Sequence, residues 1–314
     1  MGVGASLVLG GAGFVGSHLV DALLASGEHV TAVDNLSTGS MDNLALARNE
    51  NTFRFIAGDI CEDLNLPTDI GTIYNLASPA SPSAYMSRPV DTLRAGSIGV
   101  LKTLELARQI GATYFYASTS EVYGDPEVSP QHEDYWGNVN PIGPRSVYDE
   151  AKRFGEAAVS TYTRVHGVHG RIGRLFNTYG PRMGANDGRL VPNLITQMLS
   201  SEPMTIYGTG SQTRSLCYVD DTVEAIRIVA ASPLSSPVNI GSSDERTVTE
   251  IATVIARLGG LPNAVLAHLP VLDDDPQQRR PDLTKISRIS NWSPKVGLED
   301  GLLRTIDWFS RTCR

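Results

Sequence analysis

The chain has 314 residues, of which 41% are hydrophobic and 19% are charged, and its formal net charge is −8. This composition is typical of a globular protein and excludes a largely disordered chain. The length fits one large α/β unit, or one domain with a smaller companion. The acidic balance argues against a nucleic-acid partner bound through a broad basic face, but a few arginines still suffice to bind a small anion.

The cysteines and the N-terminal segment carry no sign of a secreted or membrane-bound protein. Cys61, Cys217 and Cys313 are far apart and lack zinc-ligand spacing, so we expect packing roles in a reducing compartment. The first apolar run has only the length of a strand, and no run approaches the roughly 20 residues of a membrane span. We therefore expect a cytoplasmic protein with no membrane partner.

Short apolar runs alternate with amphipathic stretches in the first half of the chain, a pattern that predicts parallel strands joined by crossover helices. Val15, Leu19 and Leu23 recur every four residues, which predicts a first helix that ends near Gly27. The predicted strands cover residues 5–10, 29–33, 52–57, 72–76, 113–117 and 171–176. The predicted helices cover 89–109, 145–166, 190–200, 221–231, 248–258 and 298–309.

The segment Gly10-Gly-Ala-Gly-Phe-Val-Gly16 lies between the first predicted strand and the first predicted helix. Glycines at positions 10, 13 and 16 let a pyrophosphate approach the helix N-terminus and let the helix pack closely on the strand. The alternative is a tight strand-to-helix turn that binds no ligand.

An acidic residue follows the glycine loop at the spacing of a dinucleotide-binding site. Asp34 ends the second predicted strand, where a carboxylate accepts hydrogen bonds from ribose hydroxyls and repels a 2′-phosphate, which favours NAD over NADP. Alternatively, Asp34 begins a turn with Asn35. Asp59, at the end of the third strand, either faces the adenine or caps the next segment. Because Asp34 and the glycine loop occur together, we favour the cofactor site.

These observations predict an α/β fold built on a doubly wound, Rossmann-type parallel sheet. Residues 1–176 would form the NAD-binding domain, and residues 177–314 would form a smaller α/β domain that binds the substrate. The two sets of segments are free to interleave.

Tyr148 and Lys152 are four residues apart in a predicted helix, so their side chains lie on one face. An ammonium beside a phenol is expected to lower the pKa of the tyrosine from about 10 toward neutrality. Such a tyrosine accepts a proton from a substrate hydroxyl while hydride leaves the same carbon. A surface pair is the alternative, but Ser118-Thr119-Ser120-Glu121 ends a predicted strand at the ligand-binding edge of the same sheet.

The chain resembles the extended short-chain dehydrogenases/reductases that act on nucleotide sugars, and within them it is most similar to the UDP-glucuronate decarboxylases. The glycine loop and the Tyr148/Lys152 pair belong to the whole superfamily. The resemblance to the decarboxylases rests on longer stretches: Leu76-Ala-Ser-Pro-Ala-Ser-Pro82, Ser118-Thr-Ser-Glu-Val-Tyr-Gly-Asp-Pro-Glu127, Glu133-Asp-Tyr-Trp-Gly137, Asn140-Pro-Ile-Gly-Pro144, Phe176-Asn-Thr-Tyr-Gly-Pro-Arg182, the stretch from Tyr207 to Arg214, and the stretch from Asp274 to Asp282.

The resemblance implies a reaction in which NAD is used and regenerated. Tyr148 would deprotonate the 4-hydroxyl of UDP-glucuronate, with Thr119 bonded to the same oxygen, while the C4 hydride passes to NAD. The resulting ketone is β to the C6 carboxylate, so carbon dioxide leaves and an enolate forms. Protonation at C5 and return of the hydride to C4 would give UDP-xylose.

The resemblance also assigns residues to three sets. The catalytic set is Tyr148, Lys152, Thr119, Ser120, Glu121 and Arg279. The cofactor set is Gly10, Gly13, Phe14, Val15, Gly16, Asp34, Asn35, Asp59, Ile60, Leu76, Ser78, Tyr148, Lys152, Thr178 and Arg189. The substrate set is Tyr85, Asn177, Arg182, Arg214 and Arg279.

Several of these residues also have simpler interpretations. Arg279 follows the acidic triplet 273–275, and local ion pairing on a solvated loop is the default for such a run. Glu121 suits a hydrogen-bonded loop, Tyr85 suits apolar packing, and Arg182 and Arg189 suit the surface. The triplet alone lacks the further ligands of a metal site, so we expect no metal.

Two other functions remain open, and the chain departs from the family at one position. A 4-epimerase or a 4,6-dehydratase acting on a nucleotide sugar is the main alternative, but related dehydratases carry Asp where this chain has Ser120. A non-catalytic NAD-binding protein is disfavoured by the intact Thr119, Tyr148 and Lys152.

Gly96 stands where the family has Asn, which leaves the local hydrogen bonds in doubt. The family also implies a homodimer that forms through the helices at 89–109 and 146–166.

Overall fold

The computed structural model describes residues 4–271 and 276–312. The strands of these residues are β1 (Ala5–Leu9), β2 (His29–Asp34), β3 (Phe53–Ala57), β4 (Thr72–Asn75), β5 (Thr113–Thr119), β6 (His169–Leu175), β7 (Thr178–Tyr179), β8 (Met204–Tyr207), β9 (Thr213–Ser215), β10 (Cys217–Tyr218), β11 (Val238–Ile240), β12 (Glu245–Thr247), β13 (Leu266–Leu269) and β14 (Gln278–Arg279). The helices are α1 (Phe14–Ala25), α2 (Pro82–Ser87), α3 (Pro89–Arg94), α4 (Val100–Ile110), α5 (Ser146–His166), α6 (Leu190–Leu199), α7 (Val219–Ala231), α8 (Val248–Leu258), α9 (Thr284–Ser290) and α10 (Leu298–Thr312). Short 3₁₀ turns cover Met41–Leu44, Ala47–Asn49 and Ser120–Tyr123.

Within the described residues, seven parallel strands form the main sheet in the order β11-β6-β5-β4-β1-β2-β3. The strand order reverses between β1 and β4, so the segments after these two strands flank a crevice at the carboxyl edge of the sheet. This arrangement confirms the predicted Rossmann-type fold. It places the glycine loop, which follows β1, beside the segment that begins at Leu76.

The sheet is buried on both faces, as parallel sheets usually are. Successive residues of β1 point to opposite faces: Val8 packs with the α1 and α7 side, whereas Leu7 and Leu9 pack with the α4 and α5 side. The two apolar layers therefore hold the crossover helices against the sheet and fix the positions of their N-termini relative to the strand ends.

Helix α5 places polar side chains inside the protein. Its buried positions follow the helical period and include Tyr148, Asp149, Ala151, Lys152, Gly155, Ala158 and Val159. The helix ends at Gly167, which adopts the left-handed conformation (φ 68°) that stops many helices. One face of α5 thus carries the predicted catalytic pair toward β5.

A π-helical turn at Ala95–Gly99 joins α3 and α4. The predicted helix over 89–109 therefore contains a π turn that the sequence analysis did not anticipate. Gly96 faces α5 here, and a Cβ atom on Gly96 would lie 2.6 Å from the Cβ of Ala151. The absence of a side chain at Gly96 lets the π turn touch α5 directly beside Lys152.

Residues beyond 176 also contribute to the main sheet. Strand β11 pairs with β6 at the sheet edge, so the segments interleave and the sheet extends past the predicted boundary at residue 176. The remaining short strands form smaller sheets. In one of them β9 pairs with both β12 and β14, which places Arg279 beside Arg214.

We predict that Gly96→Ala lowers the free energy of unfolding by about 1–3 kcal/mol, because the added methyl group overpacks the contact with α5. Denaturant unfolding measures the change. Gly71→Ala is the matched control, since a Cβ there meets only Ala5 O at 3.7 Å. Adding Ala151→Gly should restore part of the loss. Equal stabilities for Gly96→Ala and the control would contradict the contact.

Candidate active site

The glycine loop packs closely against the N-terminus of α1. A Cβ on Gly16 would lie 2.1 Å from the carbonyl oxygen of Gly10, so this approach tolerates only glycine. The N-cap residue Gly13 offers no side chain to the first N–H groups of the helix, and no acidic residue lies in its first turn. These N–H groups and the helix dipole fit a pyrophosphate. The loop and the N-terminus of α1 at Phe14 therefore fit a dinucleotide.

Asp34 lies at the end of β2 and faces the glycine loop. Its carboxylate accepts hydrogen bonds from the N–H groups of Ala12 (3.0 Å) and Leu36 (2.8 Å), and burial raises its pKa. Each carboxylate oxygen accepts more than one hydrogen bond, so these contacts leave acceptor capacity for ribose hydroxyls. Asn35 donates to Asp59 (2.8 Å), which also accepts from the Cys61 N–H. Asp59 therefore caps the segment that follows β3, which is one of the two roles that the sequence suggested for it.

Further residues of the predicted cofactor set lie around the same edge. Leu76 donates its N–H to Leu9 O (2.9 Å), and the segment up to Ser78 passes against Gly10. Val15 is half-buried on α1. The side chain of Ile60 is buried in the core against Gly99, so it points into the protein. The cofactor roles of these residues remain predictions.

Tyr148 and Lys152 lie together on the buried face of α5. Lys152 Nζ donates to Ala117 O at 2.8 Å and lies 5.7 Å from the centre of the Tyr148 ring. A side-chain hydrogen bond joins Tyr148 to Thr119 at the end of β5. The structure therefore brings the three predicted residues to one point at the carboxyl edge of the sheet.

The expected lowering of the Tyr148 pKa is wrong. Burial raises the pKa of Tyr148 above its ordinary value, and the hydrogen bond from Thr119 and the charge of Arg189 only partly offset it. Burial also lowers the pKa of Lys152 to about 8. A neutral phenol is favoured because desolvation penalises the phenolate more than the nearby groups stabilise it.

Tyr85, on α2, forms part of the same site. Its ring stacks on that of Tyr148, with centroids 5.0 Å apart and planes 7° from parallel. The residue is 1% exposed, and its hydroxyl has no hydrogen-bond partner among the described residues. Packing accounts for the ring, while the unpartnered hydroxyl suits a substrate contact. Ser120 is also buried, at the start of the 3₁₀ turn.

A buried ionic cluster joins Glu121 to two arginines. Glu121 Oε2 accepts from Arg145 Nη2 (2.7 Å) and from Arg279 Nη2 (3.1 Å), while Arg279 Nη1 donates to Gly124 O (2.6 Å). Burial raises the pKa of Glu121, but the two arginines outweigh it and hold that pKa at about 2. Arg279 is 1% exposed, which excludes the solvated-loop interpretation. The acidic triplet 273–275 lies outside the described residues.

A cavity of about 200 Å³ lies against this cluster. Glu121, Arg145, Arg279 and Asp149 line it, together with the polar loop residues Asp125 and Asn140. Sequence reasoning missed Arg145 and Asp149. The signal was present, because Arg145 is one helical turn before Tyr148 and Asp149 adjoins it in a helix whose buried face is polar.

A second buried network holds the segment that carries Arg279. Gln131 exchanges backbone hydrogen bonds with Arg280 and Asp282, and its side chain accepts from the Arg280 N–H at 2.9 Å. Asn239, on β11, donates to Gln131 O at 2.9 Å and accepts from Tyr123 Oη at 2.8 Å. The loop after β5 is thereby tied to both β11 and the Arg279 segment, and sequence reasoning predicted none of these contacts.

The network continues into α5 through an ion pair. Arg174 holds Glu156 bidentately, with contacts of 2.8 and 2.7 Å, and Arg174 Nη1 donates to Tyr123 Oη. Ser118 Oγ donates to Glu156 Oε1 at 2.5 Å. The end of β5 is therefore fixed to the helix that carries Tyr148.

The other predicted residues lie in several places. Arg189 pairs with Asp187 and lies 5.6 Å from the Phe14 ring, near the glycine loop. Arg182 instead pairs with Asp21 of α1 at 2.6 Å and is not among the residues that line the cavity. No contact of Arg182 supports the predicted substrate role, which stays a prediction.

Three residues extend the site beyond β6. Asn177 is half-buried, and its carbonyl accepts from the Cys217 N–H. Thr178 Oγ1 lies within hydrogen-bond distance of Thr222 (3.1 Å). Arg214 is 9% exposed and lies beside Arg279 in the register of β9 and β14. Their ligand roles also remain predictions.

No group of three or more acidic, histidine or cysteine residues suited to a metal ion occurs within 4–271 and 276–312. In that same part of the chain, no helix combines the length and apolar character needed to cross a membrane.

Comparison with known proteins places this geometry among nucleotide-sugar enzymes. Residues 6–241 match the NAD dependent epimerase/dehydratase family. UDP-glucuronic acid decarboxylase 1 of Danio rerio is 50% identical over 305 residues, which cover 97% of this chain and 72% of that protein. UDP-glucuronic acid decarboxylase 6 of Arabidopsis thaliana is 47% identical over 94% of this chain and 86% of that protein.

Solved structures of epimerases share the whole fold. The UDP-glucuronic acid 4-epimerase of Bacillus cereus, in complex with UDP-glucuronic acid and NAD, has a TM-score of 0.87 and 29% sequence identity. The aligned region covers 98% of this chain and 99% of the epimerase chain. The UDP-glucose 4-epimerase of Thermotoga maritima, with UDP-glucose, has the same TM-score and sequence identity. The aligned region covers 99% of this chain and 100% of that epimerase chain.

We predict that Arg279→Leu lowers the free energy of unfolding by about 3–5 kcal/mol, because it leaves the Glu121 carboxylate buried without one of its cationic partners. Denaturant unfolding of Arg279→Leu, Glu121→Gln and the double variant forms a double-mutant cycle. The double variant should lose less stability than the sum of the single losses.

The exposed pair Arg257–Glu299 provides the control, with side chains 51% and 59% exposed. Arg257→Leu should cost less than about 1 kcal/mol. Additive losses at Glu121 and Arg279 would contradict the energetic coupling that we assign to them.

Proposed function

We propose that this chain, which belongs to the NAD dependent epimerase/dehydratase family and within it to the UDP-glucuronic acid decarboxylases, converts UDP-glucuronate to UDP-xylose with NAD as a catalytic cofactor. The observation that carries the proposal is the buried Arg279–Glu121 contact beside Thr119 and Tyr148. It puts a guanidinium suited to a carboxylate next to the groups that handle the proton of a sugar hydroxyl.

Tyr148 and Thr119 would act at the 4-hydroxyl of the sugar. Thr119 orients the hydroxyl, and Tyr148 accepts its proton as C4 is oxidised. When bound, NAD supplies the hydride acceptor for C4 and, in its oxidised form, a positive charge that favours the Tyr148 phenolate. Lys152 fixes the position of the tyrosine through α5 and its bond to Ala117, and it adds to the local positive charge.

Arg279 would hold the uronate in the orientation that the decarboxylation needs. A carboxylate at C6 is β to the new C4 ketone, so the electrons of the C5–C6 bond flow into the carbonyl as carbon dioxide leaves. The guanidinium would fix the carboxylate by paired hydrogen bonds. Solvent would protonate C5, and reduction of C4, for which bound NADH would supply the hydride and Tyr148 would return its proton to O4, would complete UDP-xylose.

Ser120 and Glu121 favour this chemistry over water loss. A 4,6-dehydratase needs a general acid for the departing hydroxyl, and the hydroxyl of Ser120 is a poor one. Glu121 does not fill that role in this structure, because the two arginines hold its pKa at about 2 and keep it ionised. A 4-epimerase that acts on UDP-glucuronate would also need to bind the carboxylate, so the similarity to the UDP-glucuronic acid decarboxylases is what favours decarboxylation over inversion at C4.

We predict that the protein, incubated with NAD and UDP-glucuronate, releases carbon dioxide and forms UDP-xylose, both followed by mass spectrometry. Tyr148→Phe should abolish turnover, because it removes the proton acceptor. Arg279→Ala should reduce kcat/KM for UDP-glucuronate about a hundredfold, the equivalent of about 3 kcal/mol, and leave NAD affinity nearly unchanged.

A sugar that returns unchanged, or only inverted at C4, would contradict the decarboxylase proposal. Equal losses of uronate turnover and NAD binding in Arg279→Ala would contradict only the role of Arg279.

We also propose a homodimer that forms through α3, α4 and α5. These helices and the π turn between α3 and α4 expose a set of large apolar residues: Val90, Leu93, Ile98, Leu101, Phe154 and Val165. On α5, Phe154 and Val165 are three turns apart and share one face. Exposed apolar residues grouped on neighbouring helices are typical of a protein interface.

We predict that Phe154→Glu and Leu101→Glu halve the molar mass measured by light scattering, because each places a charge in the proposed interface. Leu46→Glu is the control, since Leu46 is 66% exposed outside these helices. A monomeric wild type, or a dimer that survives both substitutions, would contradict the interface.

A cytoplasmic location is part of the same proposal. Cys61 and Cys217 are buried free thiols, as expected for a protein that folds in a reducing compartment.

A further inference from the structure

Asp149 is a buried acid in the active-site cavity to which the proposed mechanism assigns no role. It directly follows Tyr148 on α5, is 6% exposed, and lines the cavity with Glu121 and Arg279. Its Oδ1 atom is buried and has no hydrogen-bond partner among the described residues. Buried carboxylates nearly always have hydrogen-bond donors, so an unpartnered one is better accommodated as a neutral acid.

The groups around Asp149 explain why it keeps its proton. Burial is the largest influence and the charge of Glu121 adds to it, whereas Arg145 and Arg279 act in the opposite direction; the pKa of Asp149 is raised to about 7. Glu150 on the same helix raises it further, and the phenols of Tyr85 and Tyr148 are neutral neighbours. Glu121, which the arginines contact directly, is ionised instead.

We propose that Asp149 selects for the uronate carboxylate by being protonated when the substrate binds, so that binding of UDP-glucuronate is coupled to uptake of one proton by this residue. An ionised Asp149 would add a carboxylate to a cavity of about 200 Å³ that Glu121 also lines. It would repel the carboxylate of the bound sugar, whereas the charge of Glu121 is matched by Arg145 and Arg279. This inference rests on the proposed function, since it needs the sugar carboxylate to enter the cavity beside Arg279.

The sign of the effect follows from linkage. Below the pKa of Asp149 the proton is already present, so binding takes up none. Above that pKa the protein must gain a proton to bind, so affinity for UDP-glucuronate falls as pH rises. For a pKa of about 7 the dissociation constant should be about tenfold higher at pH 8 than at pH 6. UDP-xylose lacks the carboxylate and should show neither effect.

The test is calorimetry on the NAD-loaded Tyr148→Phe protein, which binds substrate without turnover. Titration of UDP-glucuronate in two buffers of different ionisation enthalpy measures proton uptake, and UDP-xylose serves as the reference ligand. We expect close to one proton at pH 8, almost none at pH 6, and none with UDP-xylose at either pH.

Two further variants test whether Asp149 is the residue that takes up the proton when UDP-glucuronate binds. Adding Asp149→Asn should abolish the uptake and make the affinity for UDP-glucuronate independent of pH. Adding Glu150→Gln, which removes an acid from the next position of α5, should leave the uptake in place. If Asp149→Asn does not fold, Asp149→Ser takes its place, and unchanged UDP-xylose affinity verifies that the site is intact.

The absence of proton uptake at pH 8 would overturn the proposal, as would uptake that persists without Asp149. Failure of the proposed function gives a different result, because the wild-type protein would then release no carbon dioxide from UDP-glucuronate. A protein that decarboxylates UDP-glucuronate but takes up no proton on binding would disprove the role of Asp149 alone.

Discussion

The contact between Arg279 and Glu121 is the interaction on which the rest of the site depends. An arginine that is 1% exposed is tolerated only when its charge is matched. Here it pairs with Glu121 and with the carbonyl of Gly124, while its Nε atom has no hydrogen-bond partner among the described residues. Because Glu121 directly follows the end of β5, this pairing ties a distant C-terminal segment to the strand end that carries Thr119. The same residues thus determine the local fold and the electrostatic field that a carboxylate substrate would meet.

Hydrogen bonds and ion pairs around the Arg279–Glu121 contact hold its two residues in place. Gln131 and Asn239 hold the backbone next to Arg279, while Glu156 and Arg174 fix α5 to the end of β5. Tyr148 and Arg279 come from segments more than 100 residues apart, yet rigid elements hold both. Catalysis by positioning requires such support, since misplacement of a reacting group by about 1 Å costs about a hundredfold in rate. The close contact of Gly96 with α5 belongs to the same support.

Much of the fold and part of the site could be predicted from the sequence. The features that could be predicted differ from those that could not for a physical reason. The glycine loop, Asp34 and the Tyr148/Lys152 spacing are local patterns with local meanings, so each of these motifs was found at the predicted edge of the sheet. The partners of Arg279 were not predictable in this way, because they join segments distant in sequence. The same holds for the π turn, which depends on packing against Ala151. The pKa of Tyr148 was predicted with the wrong sign because spacing reveals a neighbouring lysine but not the depth of burial.

The central claim is that one carbon loses carbon dioxide while a neighbouring carbon is oxidised and reduced in the same site. The most direct measurement is the reaction of UDP-glucuronate with the NAD-loaded protein in heavy water, with the product analysed by NMR. We predict UDP-xylose with one deuterium at C5, from solvent protonation of the enolate, and none at C4, because the hydride returns from the bound cofactor. Deuterium at C4, or a product that retains C6, would contradict it.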